Sequence, residues 1–208
     1  KFPDNPYRMT FYCMNHTGYH SLCVLLTKAF LEGQDPYRGQ ICDEWLDVPG
    51  ATDGLIALTG GPMGRLSQLI DTGSERQAGG IVGRWKKLFP NRLYIELQRA
   101  NRPKDENQNA FLVTVASRFD VPVVATHPVQ FLEPQDFEAH EVRCCIAGGF
   151  TITDPRRDKS YTREQYLKSE EQMCELFKDV PSALANSVII AKRCNLDGVL
   201  SKPQLPLF

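Results

Sequence analysis

The segment VVATHPVQF, from Val123 to Phe131, places a chemically active side chain directly after a short apolar run. An apolar run of this length predicts a buried parallel strand, and α/β folds place their chemistry at the carboxyl ends of such strands. His127 would therefore lie at a catalytic edge. However, a single histidine with no Asp, Glu or Cys beside it is more typical of a hydrogen-bonding residue.

The other histidines have simple interpretations as well. His16 and His20 are four residues apart, so on one helix they could bind the same metal ion. Thr17 and Gly18 instead indicate that His16 precedes the helix, which disfavours a shared metal. His140 lies in the middle of a predicted helix, and this position favours packing or hydrogen bonding.

A glycine-rich turn, TGGPMG from Thr59 to Gly64, follows another predicted strand and could bind a phosphate. It lacks the Lys and Ser/Thr of a P-loop and the GxGxxG spacing of a dinucleotide site, so a structural turn is favoured. The order of the residues also does not yield a Ser/His/Asp or Cys/His constellation.

Composition narrows the classes of protein further. The 208 residues suffice for one domain with a sizeable core or for a piece of a larger one, and 42% hydrophobic with 24% charged residues disfavours disorder. The net charge of -1 gives no general attraction to nucleic acid, and the basic runs at 84–87 and 156–159 are interpreted as solvated surfaces. Seven cysteines without a CxxC pair predict buried reduced thiols rather than disulfides or a zinc ribbon.

A membrane location is not expected. No apolar stretch approaches the roughly 20 residues that would cross a bilayer. The opening KFPDNPYRMT also has no signal-peptide core. We therefore expect a cytoplasmic protein with no membrane partner.

Strands and helices alternate over the first two thirds of the sequence. Four parallel strands are predicted at Tyr7 to Met14, Gly54 to Thr59, Arg92 to Gln98 and Val121 to His127. Between them lie predicted helices at 18–33, around 79–90, and at 106–120. This alternation is typical of a parallel α/β sheet, either a barrel or a doubly wound layer.

After Phe131 the pattern becomes helical. Three helices are predicted at 134–149, 169–180 and 181–196. Each begins with acidic residues or Pro, and two of them have glycines or basic residues near the end, as is typical of helix termini. The segment from Leu200 to Phe208 contains two prolines and is interpreted as an extended exit towards another domain.

Several of these segments resemble a known family. Put in order, CMNHTGYHSL, GLIALTGGPMG, YIELQRANRP, VPVVATHPVQF and the long run from Tyr161 to Leu196 resemble the later part of the PHP domain that opens the alpha subunit of bacterial replicative DNA polymerase III. The resemblance implies a partial (β/α) PHP barrel, similar to a TIM barrel, at 1–131. It implies a mainly helical part at 132–208 that leads to the polymerase domain.

The resemblance also implies what the strand ends should contain. Active members hold a metal cluster there with His, Asp, Glu and Cys side chains, and the family's opening His-x-His segment and its following acidic segments are expected to precede this sequence. At the positions that match the remaining ligands, this sequence has Arg8, Gly61, Ala100, Pro128 and Gln130. None of these is an ordinary metal ligand, so we expect no catalytic residue, no metal and no cofactor, with His127 a vestigial residue at the rim.

Degenerate PHP domains of this kind resemble those of proteobacterial polymerases. The resemblance then implies a non-catalytic scaffold that docks the epsilon proofreading exonuclease, within a DNA-directed DNA polymerase that uses Mg²⁺ and contacts DNA and other holoenzyme subunits. The alternative is an active metal-dependent PHP phosphoesterase. A third hypothesis, an unrelated TIM-barrel hydrolase, would require an acid/base pair at the strand ends.

Overall fold

The computed structural model describes residues 6–35, 38–72 and 75–198. The six strands in this part of the chain are β1 (Thr10–Cys13), β2 (Gln34–Asp35), β3 (Arg38–Gly39), β4 (Leu55–Leu58), β5 (Leu93–Gln98) and β6 (Val123–Thr126). The α-helices are α1 (His16–Leu31), α2 (Glu75–Leu88), α3 (Asp105–Arg118), α4 (Phe137–Gly148), α5 (Glu170–Leu176) and α6 (Pro181–Arg193). The segment from Leu200 to Phe208 lies outside the described residues.

A four-stranded sheet in the order β1-β4-β5-β6 forms the centre of the molecule. Strands β4, β5 and β6 are parallel, as the alternating pattern predicts. The mixed α/β class is confirmed, and the described residues contain a partial sheet rather than a closed barrel.

Strand β1 does not have the predicted direction. It pairs antiparallel with β4, with Thr10 opposite Leu58 and Cys13 opposite Leu55. A direct helical crossover would have made the two strands parallel, but α1 is followed here by the β2–β3 hairpin and a 3₁₀ turn at Asp43–Asp47 before the chain enters β4. An apolar strand pattern carries no information on direction, so the prediction was wrong for this strand.

The two faces of the sheet are covered by different helices. On one face Leu55, Leu93 and Ile95 pack with Trp85 of α2 and with Phe89, which directly follows α2; neither aromatic side chain has exposed surface. The period of two along a strand sends alternate residues to the opposite face.

On that opposite face, Ile56, Leu58, Tyr94 and Val124 pack against Ile190 of α6. Two side chains fix this helix to the sheet. The amide of Asn186 donates to the carbonyl of Val123 at 2.8 Å, and the guanidinium of Arg193 donates to the hydroxyl of Tyr94 at 2.9 Å.

Helix boundaries differ from the predicted ones by a few residues. Helix α1 begins at His16 because the side chain of Asn15 accepts the backbone N–H of Gly18 at 3.1 Å, which is an N-cap contact. Helix α5 ends at Leu176, earlier than predicted, and Pro181 opens α6 at the first turn, where its missing N–H is tolerated.

The cysteines are all free and lie within the described residues. Cys145 is buried, Cys174 is exposed and the other five are half-buried, so the expectation of buried thiols is correct for one of them. Within the described residues, no helix is both long and apolar enough to span a bilayer.

Candidate functional site

The strand ends meet at one edge of the sheet, as predicted. Because β1 is antiparallel to β4, the residues before β1 lie beside those that follow β4. The backbone N–H of Arg8 donates to the carbonyl of Met63 at 2.9 Å, and Gly60 packs against the carbonyl of Arg8. The exposed side chain of Arg8 therefore lies at the same edge as the turn after β4.

A side chain at Gly61, in the turn after β4, would be strained and would meet the side chain of Gln98. This glycine has φ of 52°, in the left-handed region, and a Cβ placed there would lie 2.9 Å from the side-chain Cδ of Gln98. Only glycine adopts this conformation without strain. The Gly61 backbone conformation and the Gln98 side chain thus both oppose a ligand side chain at this position.

Ala100, which follows β5, is buried at 1% exposure. Its backbone N–H donates to the carboxylate of Asp105 at 2.7 Å, and its carbonyl accepts the hydroxyl of Thr162 at 2.5 Å. The Asp105 carboxylate also accepts the backbone N–H and the Nε–H of Arg102. Asp105 is a buried acid, but its oxygens are committed to holding the loop between β5 and α3.

His127 follows β6 and is half-buried. Its Nε2 lies 2.8 Å from the carbonyl of Glu164, so Nε2 carries the proton and donates. Its Nδ1 is buried and has no hydrogen-bond partner among the described residues. Burial is the main cause that lowers the pKa of His127 below its ordinary value of 6.5, so the imidazole is neutral at pH 7.

Pro128 and Gln130 are held through their backbones. The carbonyl of Pro128 accepts the side-chain amide of Gln165 at 3.1 Å, and the backbone N–H of Gln130 donates to the carbonyl of Gln165 at 2.8 Å. The side chain of Gln130 is exposed and contributes to a groove on the outside of this loop.

The segment Tyr161–Lys168 crosses this edge and is called the strap. The strap forms hydrogen bonds to the loops after β5 and β6. In addition, Tyr166 of the strap and Phe131 form an isolated parallel β-bridge, and the N–H of Leu167 donates to the Phe131 carbonyl at 3.0 Å. The Lys168 ammonium lies 3.8 Å from the centre of the Tyr166 ring. The strap is therefore joined to the loops after β5 and β6 by hydrogen bonds, each of which has at least one backbone group as a partner.

A buried carboxylate that sequence reasoning missed lies near the same edge of the sheet. Glu96 of β5 is 4% exposed, and its Oε1 accepts the hydroxyl of Thr126 at 2.6 Å and the amide of Gln98 at 2.8 Å. Its Oε2 accepts the backbone N–H of Gly60 at 3.1 Å. A signal was present in the sequence, because a Glu inside the apolar run LYIELQ must be buried with partners or serve a function.

The hydrogen bonds of Glu96 connect the carboxyl ends of three parallel strands. Thr59, which directly follows β4, adds a further contact, since its hydroxyl accepts the backbone N–H of Glu96 at 3.0 Å. Two donors contact Oε1 and one contacts Oε2, so the carboxylate of Glu96 serves as a hydrogen-bond acceptor that joins the strand ends. In the part of the chain that the structure describes, no three His, Cys, Asp or Glu side chains lie close enough to bind a metal ion.

The remaining sequence candidates do not join the edge. His16 and His20 lie exposed on α1, although His16 is within the helix and not before it as predicted. His140 is buried in α4, where its ring packs edge-on against Tyr161 with 4.6 Å between centroids. The basic run at 84–87 is partly engaged rather than fully solvated, since Arg84 pairs with Asp47 at 2.9 Å.

One arginine links the strand ends to the helical region. The Arg99 guanidinium, 14% exposed, binds both carboxylate oxygens of Asp179 at 2.6 and 2.8 Å and donates to the carbonyl of Leu176 at 2.6 Å. The hydrogen bond from Arg99 is the main cause that lowers the pKa of Asp179. The guanidinium also lies over the ring of Phe177, 5.0 Å from its centre.

The sequence of the chain is similar to those of known proteins. The PHP domain family profile matches residues 2–100. The chain is 43% identical over 207 residues to DNA polymerase III subunit alpha of Pseudomonas fluorescens, which covers 99% of the chain and 18% of that relative. The corresponding subunit of Vibrio cholerae is 42% identical over 208 residues, covering 100% of the chain and 18% of the relative.

The alpha subunit of Escherichia coli K12 is 40% identical over 205 residues, covering 99% of the chain and again 18% of the relative. The chain thus spans about a fifth of the length of these curated relatives, and the similarity continues beyond the PHP match through the helices α4, α5 and α6. Residues 2–100 match the PHP domain family, and the chain as a whole is similar to the PHP region of DNA polymerase III alpha subunits.

Proposed function

We propose that this chain is a structural part of a DNA-directed DNA polymerase alpha subunit that acts in chromosomal replication, and that its PHP strand ends carry no metal chemistry. The relatives named above are DNA polymerase III alpha subunits, and the similarity extends over nearly all of the chain. Polymerisation of DNA, with Mg²⁺ as its cofactor, would then be an activity of the longer polypeptide, and its location would be the cytoplasm.

The commitment of Glu96 carries the proposal of a non-catalytic edge. In a hydrolytic metal site, carboxylates and imidazoles leave lone pairs free for metal ions that activate water. Here the Glu96 carboxylate accepts three hydrogen bonds from three strand ends. The carboxylate thus has the role of a structural clamp.

The five positions matched to family ligands support the same proposal. Arg8 is a cation, Gly61 has a positive φ that strains any side chain, and Ala100 is enclosed. Pro128 and Gln130 contribute backbone groups to the strap. We therefore propose that none of them binds a metal. We also propose that His127 is a vestigial residue, whose Nε2 donates a hydrogen bond to the strap.

We propose further that this domain docks a proofreading exonuclease of the epsilon type, together with other subunits of a replicative holoenzyme. A domain whose strand ends are closed by its own chain can still contribute a rigid outer surface, and several large apolar side chains are exposed on it. We also propose that the chain divides at residue 131 into a β/α part and a mainly helical part.

Sedimentation velocity of the 208-residue chain mixed with a purified epsilon-type exonuclease tests the docking proposal. We expect a 1:1 complex that sediments faster than either protein. If the two proteins sediment independently at tens of micromolar while circular dichroism shows the chain to be folded, the docking proposal is wrong. The proposed absence of metal chemistry would still require its own test.

A further inference from the structure

Two arginines lie together at the end of the sheet where the parallel strands begin. Arg92 directly precedes β5, and Arg193 is the last residue of α6. Side chains alternate along a strand, so Arg92 projects to the same face as Tyr94, which is the face that α6 covers. Arg193 comes three residues after Ile190, which packs in one cluster with Tyr94. The two guanidinium groups therefore approach each other from the sheet and from the helix that lies on it.

Both guanidinium groups are held by uncharged partners. Nη1 of Arg92 donates to the carbonyl of Thr52 at 2.5 Å and to that of Leu55 at 2.7 Å. Nη1 of Arg193 donates to the hydroxyl of Tyr94 at 2.9 Å. Neither arginine forms an ion pair with a residue that the structure describes. Because a guanidinium has five N–H donors, each arginine keeps donors for a further partner while its position is already fixed.

The electrostatic surroundings of Arg92 also indicate that the two cations are close. Burial is the main cause that lowers the pKa of Arg92, and the charge of Arg193 lowers it further. The exposed carboxylate of Asp53 acts in the opposite direction but forms no ion pair with Arg92. Lys192 and Asp197 are both exposed at the end of α6, and their charges offset each other. The two arginines against Asp53 thus leave a net positive charge.

The end of α6 would ordinarily repel an anion, because the last carbonyls of a helix carry partial negative charge. Here two of these carbonyls already accept hydrogen bonds. The Ala191 carbonyl accepts the backbone N–H of Cys194 at 3.2 Å, and the Lys192 carbonyl accepts the side-chain amide of Asn195 at 3.0 Å. The backbone N–H of Asn195 in turn donates to the Met14 carbonyl at 2.8 Å, which ties this end of α6 to the sheet. These contacts weaken the repulsion and fix the end of the helix in position.

We propose that Arg92 and Arg193 form a binding site for an oxyanion of the phosphate class. Two guanidinium groups on different elements can hold one phosphate through charge-assisted hydrogen bonds from two sides. Two like charges held near each other without an ion pair raise the free energy of the folded chain, and a bound anion would relieve their repulsion. The site lies at the opposite end of the strands from Glu96 and His127, and the proposal is independent of the polymerase assignment.

Amide NMR titration of the 208-residue chain with sodium diphosphate, at constant ionic strength, tests the proposal. We expect shift changes confined to residues 52–55, 92–94 and 190–195, with half-saturation at about 1 mM. Sodium chloride at the same ionic strength should leave these residues unchanged. Changes that chloride reproduces, or that are spread over the surface, would overturn the proposal.

A second titration, with a ten-nucleotide oligothymidylate, distinguishes a free phosphate from one in a nucleic-acid backbone. If diphosphate shifts these residues and the oligonucleotide does not, the ligand is a small free anion. If the oligonucleotide shifts the same residues at lower concentration than diphosphate, the phosphate belongs to a nucleic acid. If neither probe shifts these residues while circular dichroism shows the chain to be folded, the proposal is wrong.

Variants locate the binding site. Arg193→Gln should weaken diphosphate binding about tenfold, and Arg193→Lys should recover only part of the loss, because an ammonium group lacks the planar fork of donors. Arg92 is left intact, since its bonds to two carbonyls also support the fold. Arg143→Gln is the matched control, because Arg143 is an exposed arginine of α4 that likewise forms no ion pair with a described residue. Equal weakening by Arg143→Gln and Arg193→Gln would show a general attraction of charge and refute the site.

Discussion

The Oε1 atom of Glu96 on β5 lies 2.6 Å from the Thr126 hydroxyl on β6, and this contact joins the ends of two neighbouring parallel strands. The hydroxyl donates and the buried carboxylate accepts, so the bond is charge-assisted. The same carboxylate accepts the backbone N–H of Gly60 from the turn after β4. One side chain thus fixes the relative position of three strand ends in a region where active relatives would use metal ions.

Glu96→Leu should destabilise the fold by about 2–4 kcal/mol, because its three donors become buried and unsatisfied. Glu96→Gln should have a smaller effect of about 1–2 kcal/mol, because its amide N–H groups must face at least one donor. Urea unfolding monitored by circular dichroism measures both values. A change below about 0.5 kcal/mol for Glu96→Leu would show that the contact is not structural.

Thr126→Val removes the shortest donor to Glu96 while keeping the shape of the side chain. We expect a loss of about 1–2 kcal/mol of unfolding free energy. In a double-mutant cycle, Thr126→Val should cause no further loss once Glu96→Leu is present and should recover part of the stability, because it removes a donor that the first substitution leaves unsatisfied. Additive losses would contradict the proposed clamp.

Gly61→Cys restores a ligand type at its family position but should destabilise the chain by about 1–3 kcal/mol. The cause is a positive φ together with a Cβ contact of 2.9 Å to Gln98. The same substitution at Gly80, an exposed position of α2 where an added Cβ would meet nothing within 4 Å, is the matched control and should be close to neutral. Thermal unfolding of the two variants compares them directly, and equal melting temperatures would refute the steric argument.

Arg99→Ala should lower the unfolding free energy by about 1–3 kcal/mol, because it removes a two-pronged bond to Asp179 and leaves the Leu176 carbonyl without its donor. Arg156→Ala is the control. Arg156 pairs with Asp154 on the surface with 78% of its side chain exposed, so its loss should change stability by less than about 0.5 kcal/mol. Similar losses for the two variants would contradict the role of Arg99 as a link to α5 and α6.

The lowered pKa of His127 makes stability depend on pH in a defined window. The folded chain resists protonation, so the unfolded state binds more protons as the pH falls below the ordinary value of 6.5. The contribution of neutral His127 is complete above pH 6.5 and is lost as the pH falls towards the folded pKa. His127→Gln should reduce this loss in chemical unfolding between pH 7.5 and about 5, with exposed His20→Gln as the control for removing a histidine. An unchanged pH dependence would contradict the burial of the neutral ring.

Sequence periodicity was sufficient to locate the parallel strands β4, β5 and β6, because each is a short apolar run followed by a turn. It could not give the direction of β1. That direction depends on how the hairpin and the 3₁₀ turn between α1 and β4 return the chain, and no local pattern encodes this path. The start of α1 was misplaced for a different reason. Asn15 is a typical N-cap residue that accepts the N–H of Gly18, and this local signal was overlooked in favour of Thr17 and Gly18.

The sequence predicted that these residues follow the strands, but it did not predict their hydrogen-bond partners. The sequence indicated that His127 stands at a strand end, and the structure gives its partner as the Glu164 carbonyl. This partner lies far along the chain, so spacing could not reveal it. Glu96 was overlooked because its position within an apolar run was treated as part of the strand pattern rather than as a buried charge that needs partners.

The absence of metal chemistry at the strand ends is the central claim, and elemental analysis of the chain purified without a metal-affinity tag tests it most directly. The same preparation is assayed for phosphoester hydrolysis with added Mn²⁺ or Zn²⁺. We expect metal well below one equivalent per chain and no turnover above buffer, because no three His, Cys, Asp or Glu side chains of the described residues lie close enough to bind a metal ion and Glu96 is held by three hydrogen bonds. Stoichiometric metal together with turnover that His127→Ala abolishes would contradict the account and establish a phosphoesterase.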